Sequence, residues 1–176
     1  LEEGEVAADW SKDRIPYGLV WTAIPMLTWL CPCVGHLGIC RSDGVSFDFA
    51  GPYTITVDNL AFGRPLRYVQ LDVEQVTAAM DQSRAGKRKA FDAAVENASK
   101  EYTRHMHNLC WDNCHSHVAL ALNQMRYQGS AGWNMVNLAM LLFFTGKYTS
   151  VASFVCHWAP FAVVVAICAT ILLTGK

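Results

Sequence analysis

Cys114, His36 and Asp48 are the three residues in this chain whose types could together perform thiol chemistry. A thiol becomes a nucleophile when its pKa is lowered and a base takes its proton, and a carboxylate can fix the base's tautomer and stabilise its cation. Cys114 lies in Asn108-Leu109-Cys110-Trp111-Asp112-Asn113-Cys114-His115-Ser116-His117. Asp112 or Asn113 suits an N-cap, and Val118, Leu122 and Met125 recur at helical spacing beyond it. This pattern predicts an amphipathic helix over about 113 to 127, with Cys114 in its first turn. There the unpaired amide N–H groups and the positive end of the helix dipole favour a thiolate. The same N–H groups, with Asn113 and Asp112 at the cap, form a candidate oxyanion site. A cysteine on a helix is more often a small buried hydrophobe than a catalyst, so the assignment needs the imidazole and the carboxylate to meet it in space.

The elements that would bring them there begin with Gly35 to Ala50. His36, Gly38 and Cys40 alternate with Leu37 and Ile39, then Ser42-Asp43-Gly44 intervenes. Val45, Phe47 and Phe49 next alternate with Ser46 and Asp48, which predicts a β-hairpin. A three-residue loop over Ser42 to Gly44, with Gly44 left-handed, sets Gly38 opposite Asp48. It puts Asp48 on the face of His36 as a diagonal neighbour, roughly 7 to 8 Å between backbones. A two-residue Asp43-Gly44 loop shifts the register by one and places the two on opposite faces. The expectation adopted is the three-residue loop.

Around this hairpin the chain divides into three parts. Residues 1–14 carry Glu2, Glu3, Glu5, Asp9 and Asp13 without an apolar period and read as a mobile acidic tail. Residues 15–130 hold a small antiparallel sheet packed on helices. Ile15 to Ile39 lacks any Asp, Glu, Lys or Arg, yet Pro16, Pro25 and Pro32 forbid one regular membrane-spanning helix. A short strand near Leu19 to Ala23 and an apolar loop are expected instead. With Trp21 and Trp29 nearby, Pro25 to Val34 is either a membrane-facing dip or an ordinary core segment. Leu66 to Leu71 is a further strand. Asp72 leads into a short helix interrupted at Ser83 to Gly86, and Phe91, Ala94, Val95, Ala98, Tyr102 and Met106 keep the helical period. Residues 131–176 read as a membrane-anchoring helical hairpin. In it Trp133 to Thr145 is too short to cross unaided, and Val151 to Leu173, an uncharged run of 23 residues, is expected to be a transmembrane helix.

Composition limits the function classes. A chain of 176 residues with 52% hydrophobic and 16% charged residues and mean hydropathy +0.17 accommodates one domain plus appendages, partly in lipid. A net charge of -1 and the lack of a basic stripe interleaved with aromatics argue against nucleic acid. Seven cysteines are an odd number, and no signal peptide is visible, so reduced thiols and a cytosolic soluble face are expected. The chain begins with Leu rather than Met, which leaves room for an N-terminal piece. His105, His107, Cys110 and His115, with Cys114 and His117, crowd 13 residues and form an alternative metal site, though their spacing matches no common zinc pattern. No cofactor is called for.

The order of His36 on a strand, an acid twelve residues on and Asn113-Cys114 at a helix start resembles the circularly permuted papain-like fold of the lecithin retinol acyltransferase and NlpC/P60 group. Asp48 stands where those acyltransferases usually have histidine. Longer strings resemble the Reversion-to-Ethylene-Sensitivity family in its animal branch, the transmembrane protein 222 family: Gly35-His36-Leu37-Gly38-Ile39-Cys40, Asp48-Phe49-Ala50-Gly51-Pro52-Tyr53, Met106-His107-Asn108-Leu109-Cys110 and Asp112-Asn113-Cys114-His115-Ser116-His117. That resemblance implies a multi-pass protein of Golgi and endoplasmic-reticulum membranes, with plant members that modulate an ethylene receptor. Two functions therefore stand open. One is a membrane-tethered thiol hydrolase or acyltransferase acting on a lipid, S-acyl or peptide-type substrate. The other is a non-catalytic regulator that binds a membrane-protein partner.

Overall fold

Leu19, Trp21, Leu37 and Ile39 alternate along two neighbouring strands with Val20, Thr22, His36 and Gly38, and that alternation gives the sheet its two faces. In the computed structural model, which describes residues 8–175, the chain is α+β. Its strands are β1 Gly18–Ala23, β2 Gly35–Cys40, β3 Ser46–Gly51, β4 Thr54–Val57, β5 Arg67–Gln70 and β6 Lys147–Tyr148. They form one antiparallel sheet in the order β4-β3-β2-β1-β5-β6. The helices are α1 Leu27–Leu30, α2 Arg84–Tyr102, α3 Cys114–Gln124, α4 Met135–Thr145 and α5 Val151–Thr174.

Leu19, Trp21, Leu37 and Ile39 pack with Phe91 and Val95 of α2 and Val118 and Leu122 of α3 in the main core. Each such buried side chain stabilises the fold by about 1.5–3 kcal/mol. The opposite face of β1 and β2 is covered by a smaller cluster of Ile15, Val20, Cys40 and Leu60. His36 and Asp48 lie on that second face, beneath the loop that carries Leu60.

The hairpin turns on three residues. Arg41 N donates to Val45 O at 3.0 Å, Gly44 N donates to Arg41 O at 3.0 Å, and Gly38 faces Asp48. Gly44 has φ +83°, the left-handed geometry that a three-residue loop requires and that only glycine adopts without strain. From α2, Asp92 accepts from Ser42 N at 2.8 Å and from Ser42 Oγ at 2.6 Å, holding the loop down.

Four expectations change. Of the tail expected over 1–14, residues 1–7 lie outside the described residues, whereas Asp9 to Arg14 form a turn. That turn is fixed by Arg64 to Asp13 at 2.8 Å, Arg14 to Asp58 at 2.5 Å and the Trp10 ring against Tyr68. Helix α2 runs unbroken from Arg84, because Ser83 Oγ accepts from Gly86 N at 3.1 Å and makes the supposed interruption an N-cap. The short helix expected after Asp72 is a single 3-10 turn, Val73–Gln75. Finally, the sheet reaches into the C-terminal region. Strand β6 pairs with β5 between α4 and α5, and Arg67 of β5 donates to Phe143 O at 3.1 Å and Gly146 O at 2.9 Å at the end of α4. Strand pairing and these hydrogen bonds therefore cross the boundary expected at 131.

Pro25, Pro32 and the uncharged stretch around them resolve into β1, the single turn α1 and β2. Helix α5, with 24 residues, is the helix among the described residues that is long and apolar enough to cross a membrane. Its base is not free. His157, 2% exposed, donates from Nε2 to Pro32 O at 2.8 Å and accepts at Nδ1 from Tyr148 OH at 2.8 Å.

Candidate active site

His36 stands near the start of β2 with Thr22 of β1 opposite it, and its imidazole Nε2 lies 2.6 Å from Asp48 Oδ2. Both side chains are almost wholly removed from water, at 3% and 0% exposed. Gly38 makes this approach feasible: a Cβ there would come 2.9 Å from Leu60 Cδ2 and 3.3 Å from Asp48 Cβ. The carboxylate is otherwise satisfied, since Thr56 Oγ1 donates to its Oδ1 and Ala61 N donates to Oδ2 at 3.3 Å. Phe62 closes over the imidazole with ring centroids 5.1 Å apart. With Nε2 turned to Asp48, Nδ1 is the nitrogen left for a second partner.

Cys114, in the first turn of α3, lines the same cleft as His36 and is near enough that each shifts the other's titration. The turn is built by Asn113, whose side-chain oxygen accepts from His115 N at 2.9 Å while Ser116 Oγ accepts from Asn113 N at 3.4 Å, a reciprocal cap. Burial works against a thiolate at Cys114. Hydrogen bonding by His115 and then by His36 overcomes it and brings the thiol down to about 5. Burial also works against an imidazolium at His36, but Asp48 and then Cys114 carry it up to about 9. The two shifts favour a thiolate beside an imidazolium, with a carboxylate behind it. Cys40, fully buried without such partners, is pushed up to about 12.

Asp112 and Asn113 are alternative caps by sequence, and Asn113 is the residue that caps α3. Asp112 does not cap α3. It accepts from Tyr102 OH at 2.7 Å and pairs with His105 Nδ1 at 2.6 Å, because α2 ends within its reach. Asn113 caps the helix, but its Nδ2 donates to Leu109 O at 2.7 Å, so its carboxamide is not a donor aimed at a substrate. The alternative metal residues disperse. His105 is taken by Asp112, His107 packs on Phe49 at 5.0 Å, Cys110 is exposed and His115 turns to the Cys114 sulfur. No group of three or more His, Cys, Asp or Glu side chains converges to hold a metal among the described residues.

His115 is the site residue that sequence reasoning used only as a metal ligand. Its Nδ1 is 3.5 Å from Cys114 Sγ, and the signal was available in its adjacency to a first-turn cysteine. Thr56, Ala61 and Phe62 carry no sequence signal, being brought in by β4 and the loop after it. His36, Phe62, Asn113, Cys114 and His115 border a cleft of 590 Å³, a size suited to a small-molecule site. Residues of α1 and its flanks, with Ala50, His107 and Leu109, form the rest of its walls.

Comparison with known proteins supplies the family. No solved structure matches the chain. The chain is 39% identical over 167 residues to the protein Reversion-to-Ethylene Sensitivity1 of Arabidopsis thaliana, an alignment covering 89% of this chain and 67% of the relative. Residues 9–146 match the family described as RTE1-like, a span holding β1 to β5, His36, Asp48 and Cys114, and the chain belongs to that family.

Proposed function

We propose that the protein is a membrane-tethered thiol enzyme of circularly permuted papain-like plan, a hydrolase or acyltransferase on a lipid, S-acyl or peptide-type substrate. Cys114 is the nucleophile, His36 the base and Asp48 the group that orients it. The observation that carries this reading is the buried imidazole of His36, held by Asp48 at 2.6 Å and lining one cleft with a thiol in the first turn of a helix. A structural ion pair needs no thiol.

In the reaction, the Cys114 thiolate adds to the substrate carbonyl, and a tetrahedral oxyanion forms beside the first N–H groups of α3. The C–O, C–S or, in a peptide-type substrate, C–N bond to the leaving group then breaks, and His36 gives that group its proton. In the second half a water, or an acceptor hydroxyl or thiol, adds to the acyl-Cys114 carbonyl while His36 takes its proton. The Cys114 C–S bond breaks, and the thiolate and imidazolium are regenerated. Asp48 keeps Nε2 protonated throughout, so that Nδ1 is the nitrogen that exchanges protons with substrate.

Helix α5 anchors the enzyme, and the seven free thiols fit a soluble body facing the cytosol from a Golgi or endoplasmic-reticulum membrane. An activated thioester probe incubated with the detergent-solubilised protein should leave an acyl mass on Cys114, and none in Cys114→Ala. No adduct on Cys114 in the folded parent would remove the enzymatic reading. A second reading, a non-catalytic regulator that binds a membrane-protein receptor, is favoured by the relative named for reversion to ethylene sensitivity. It predicts that a Cys114→Ala protein keeps its full cellular effect.

A further inference from the structure

We infer that the cleft before Cys114 takes a long acyl chain directly out of the bilayer, along α1, which forms both the outer wall of the cleft and a membrane-contacting surface. This rests on the thiol-enzyme reading and narrows its substrate to a fatty-acyl ester or thioester. The first support is the lining. Ile24, Leu27, Leu30, Val34, Phe62 and Leu109 make up the apolar body of the cleft, and among the described residues no Asp, Glu, Lys or Arg borders it. A peptide would find few partners there for its backbone N–H and C=O groups, and a soluble phosphate-bearing carrier would find no lysine or arginine among the described lining residues. An aliphatic chain needs neither, and its carbonyl would be left at the end where Cys114 and His36 stand.

The second support is where the wall is fixed. Residues 24–34 hang on the base of α5 through His157 Nε2 and Pro32 O at 2.8 Å, with the Trp21 ring 4.7 Å from the same imidazole. Tyr148 OH donates to Nδ1 of that imidazole, which fixes the tautomer that can donate to Pro32. The wall of the cleft and the membrane-length helix are therefore one joined unit. The third support is the other side of α1, where Met26 and Leu30 are 70% and 68% exposed and Trp29 stands between them. An exposed apolar turn with a tryptophan suits the bilayer interface. Leu30 belongs both to that surface and to the cleft, so lipid and cleft meet at one residue.

The test uses the full chain in phospholipid nanodiscs, carrying Cys114→Ala so that capture does not depend on chemistry. A diazirine-bearing palmitoyl chain is supplied in one arm as a phospholipid ester and in the other as the S-palmitoyl thioester of a membrane-bound peptide. After irradiation, cross-links should fall on residues 24–34 and 107–115, at least tenfold weaker when excess palmitoyl but not butyryl ester is present. The arm that labels more strongly identifies the source. Leu27→Trp, which fills the cleft, should cut this labelling about tenfold. Val34→Trp does the same from the other side of α1, so one misfolded variant does not decide the result. Cross-links confined to α4 and the outer face of α5 overturn the inference. The thiol-enzyme reading is judged separately, by the thioester probe on the parent chain. If that adduct fails while residues 24–34 still cross-link, the cleft is a lipid site without chemistry, and only the catalytic reading falls.

Discussion

Two histidine–aspartate pairs of the same length stand in opposite surroundings in this molecule. His36–Asp48 and His105–Asp112 are each 2.6 Å, but the first pair is 3% and 0% exposed and the second 33% and 32%. At the exposed pair, Asp112 hydrogen-bonds His105 and raises its pKa, with Glu101 3.6 Å away adding to it. Solvent screens such a pair to about 0–1 kcal/mol, and its work is to tie the end of α2 to the loop before Cys114. At the buried pair, water is excluded and the carboxylate is held by Thr56 and Ala61, so the imidazolium is sustained to about 9 in spite of burial. Identical distance yields a surface brace in one place and a charged base against a thiol in the other. Desolvation and the third partner make the difference.

Removing the carboxylate from each pair tests this contrast most strongly. Asp48→Ala strands a buried imidazole and should cost about 3–5 kcal/mol of unfolding free energy. It should also slow acylation of Cys114 on the order of 10²–10⁴-fold. Asp112→Ala should cost less than about 1 kcal/mol and leave acylation within about threefold. Chemical denaturation and the thioester probe measure both, and equal costs at the two sites would end the distinction.

The pH dependence gives the next effect. Cys114 lies below its ordinary thiol value, so its thiolate is lost as pH falls through about 5, while the His36 imidazolium, raised above its ordinary value, is lost as pH rises through about 9. The stabilisation from His36 is complete below its unfolded value near 6.5 and disappears through about 9. That from Cys114 is complete above its unfolded value and disappears as pH falls through about 5. The coupled pair is therefore strongest between the two. Iodoacetamide should alkylate Cys114 at a nearly constant rate from pH 6 to 8, where an ordinary thiol gains about tenfold per unit. His36→Ala should restore the ordinary slope, and His105→Ala should not.

The last effect is expected at His115, 3.5 Å from the Cys114 sulfur and the first of the two histidines in lowering its pKa. His115→Ala should slow alkylation of Cys114 at pH 6 by about three- to tenfold, the worth of roughly one net hydrogen bond. An unchanged rate would leave His36 alone as the partner of the thiolate.

The sequence by itself determined several of these parts. Alternation through Leu37, Ile39, Phe47 and Phe49 made the hairpin, because side chains on a strand change face at every residue. Helical spacing after Asn113 put Cys114 in a first turn, and a run of 23 uncharged residues made α5, an apolar helix long enough to cross a membrane. The choices that define the site needed tertiary structure. A two-residue loop at Asp43-Gly44 would have sent Asp48 to the other face. The three-residue loop holds because Asp92 of α2, fifty residues along the chain from Ser42, anchors it. Asp112 and Asn113 are both good caps in isolation, and the end of α2 decided between them by presenting Tyr102 and His105 to Asp112. Strand β6 is two residues long and has no period to read, existing because β5 offers an edge. The loop over His36 and the joint between Pro32 and His157 link residues far apart in the chain, so no spacing announces them. Local patterns fix which elements form. Which polar groups meet depends on distances set by packing, and the same histidine and aspartate become a brace or a base by that alone.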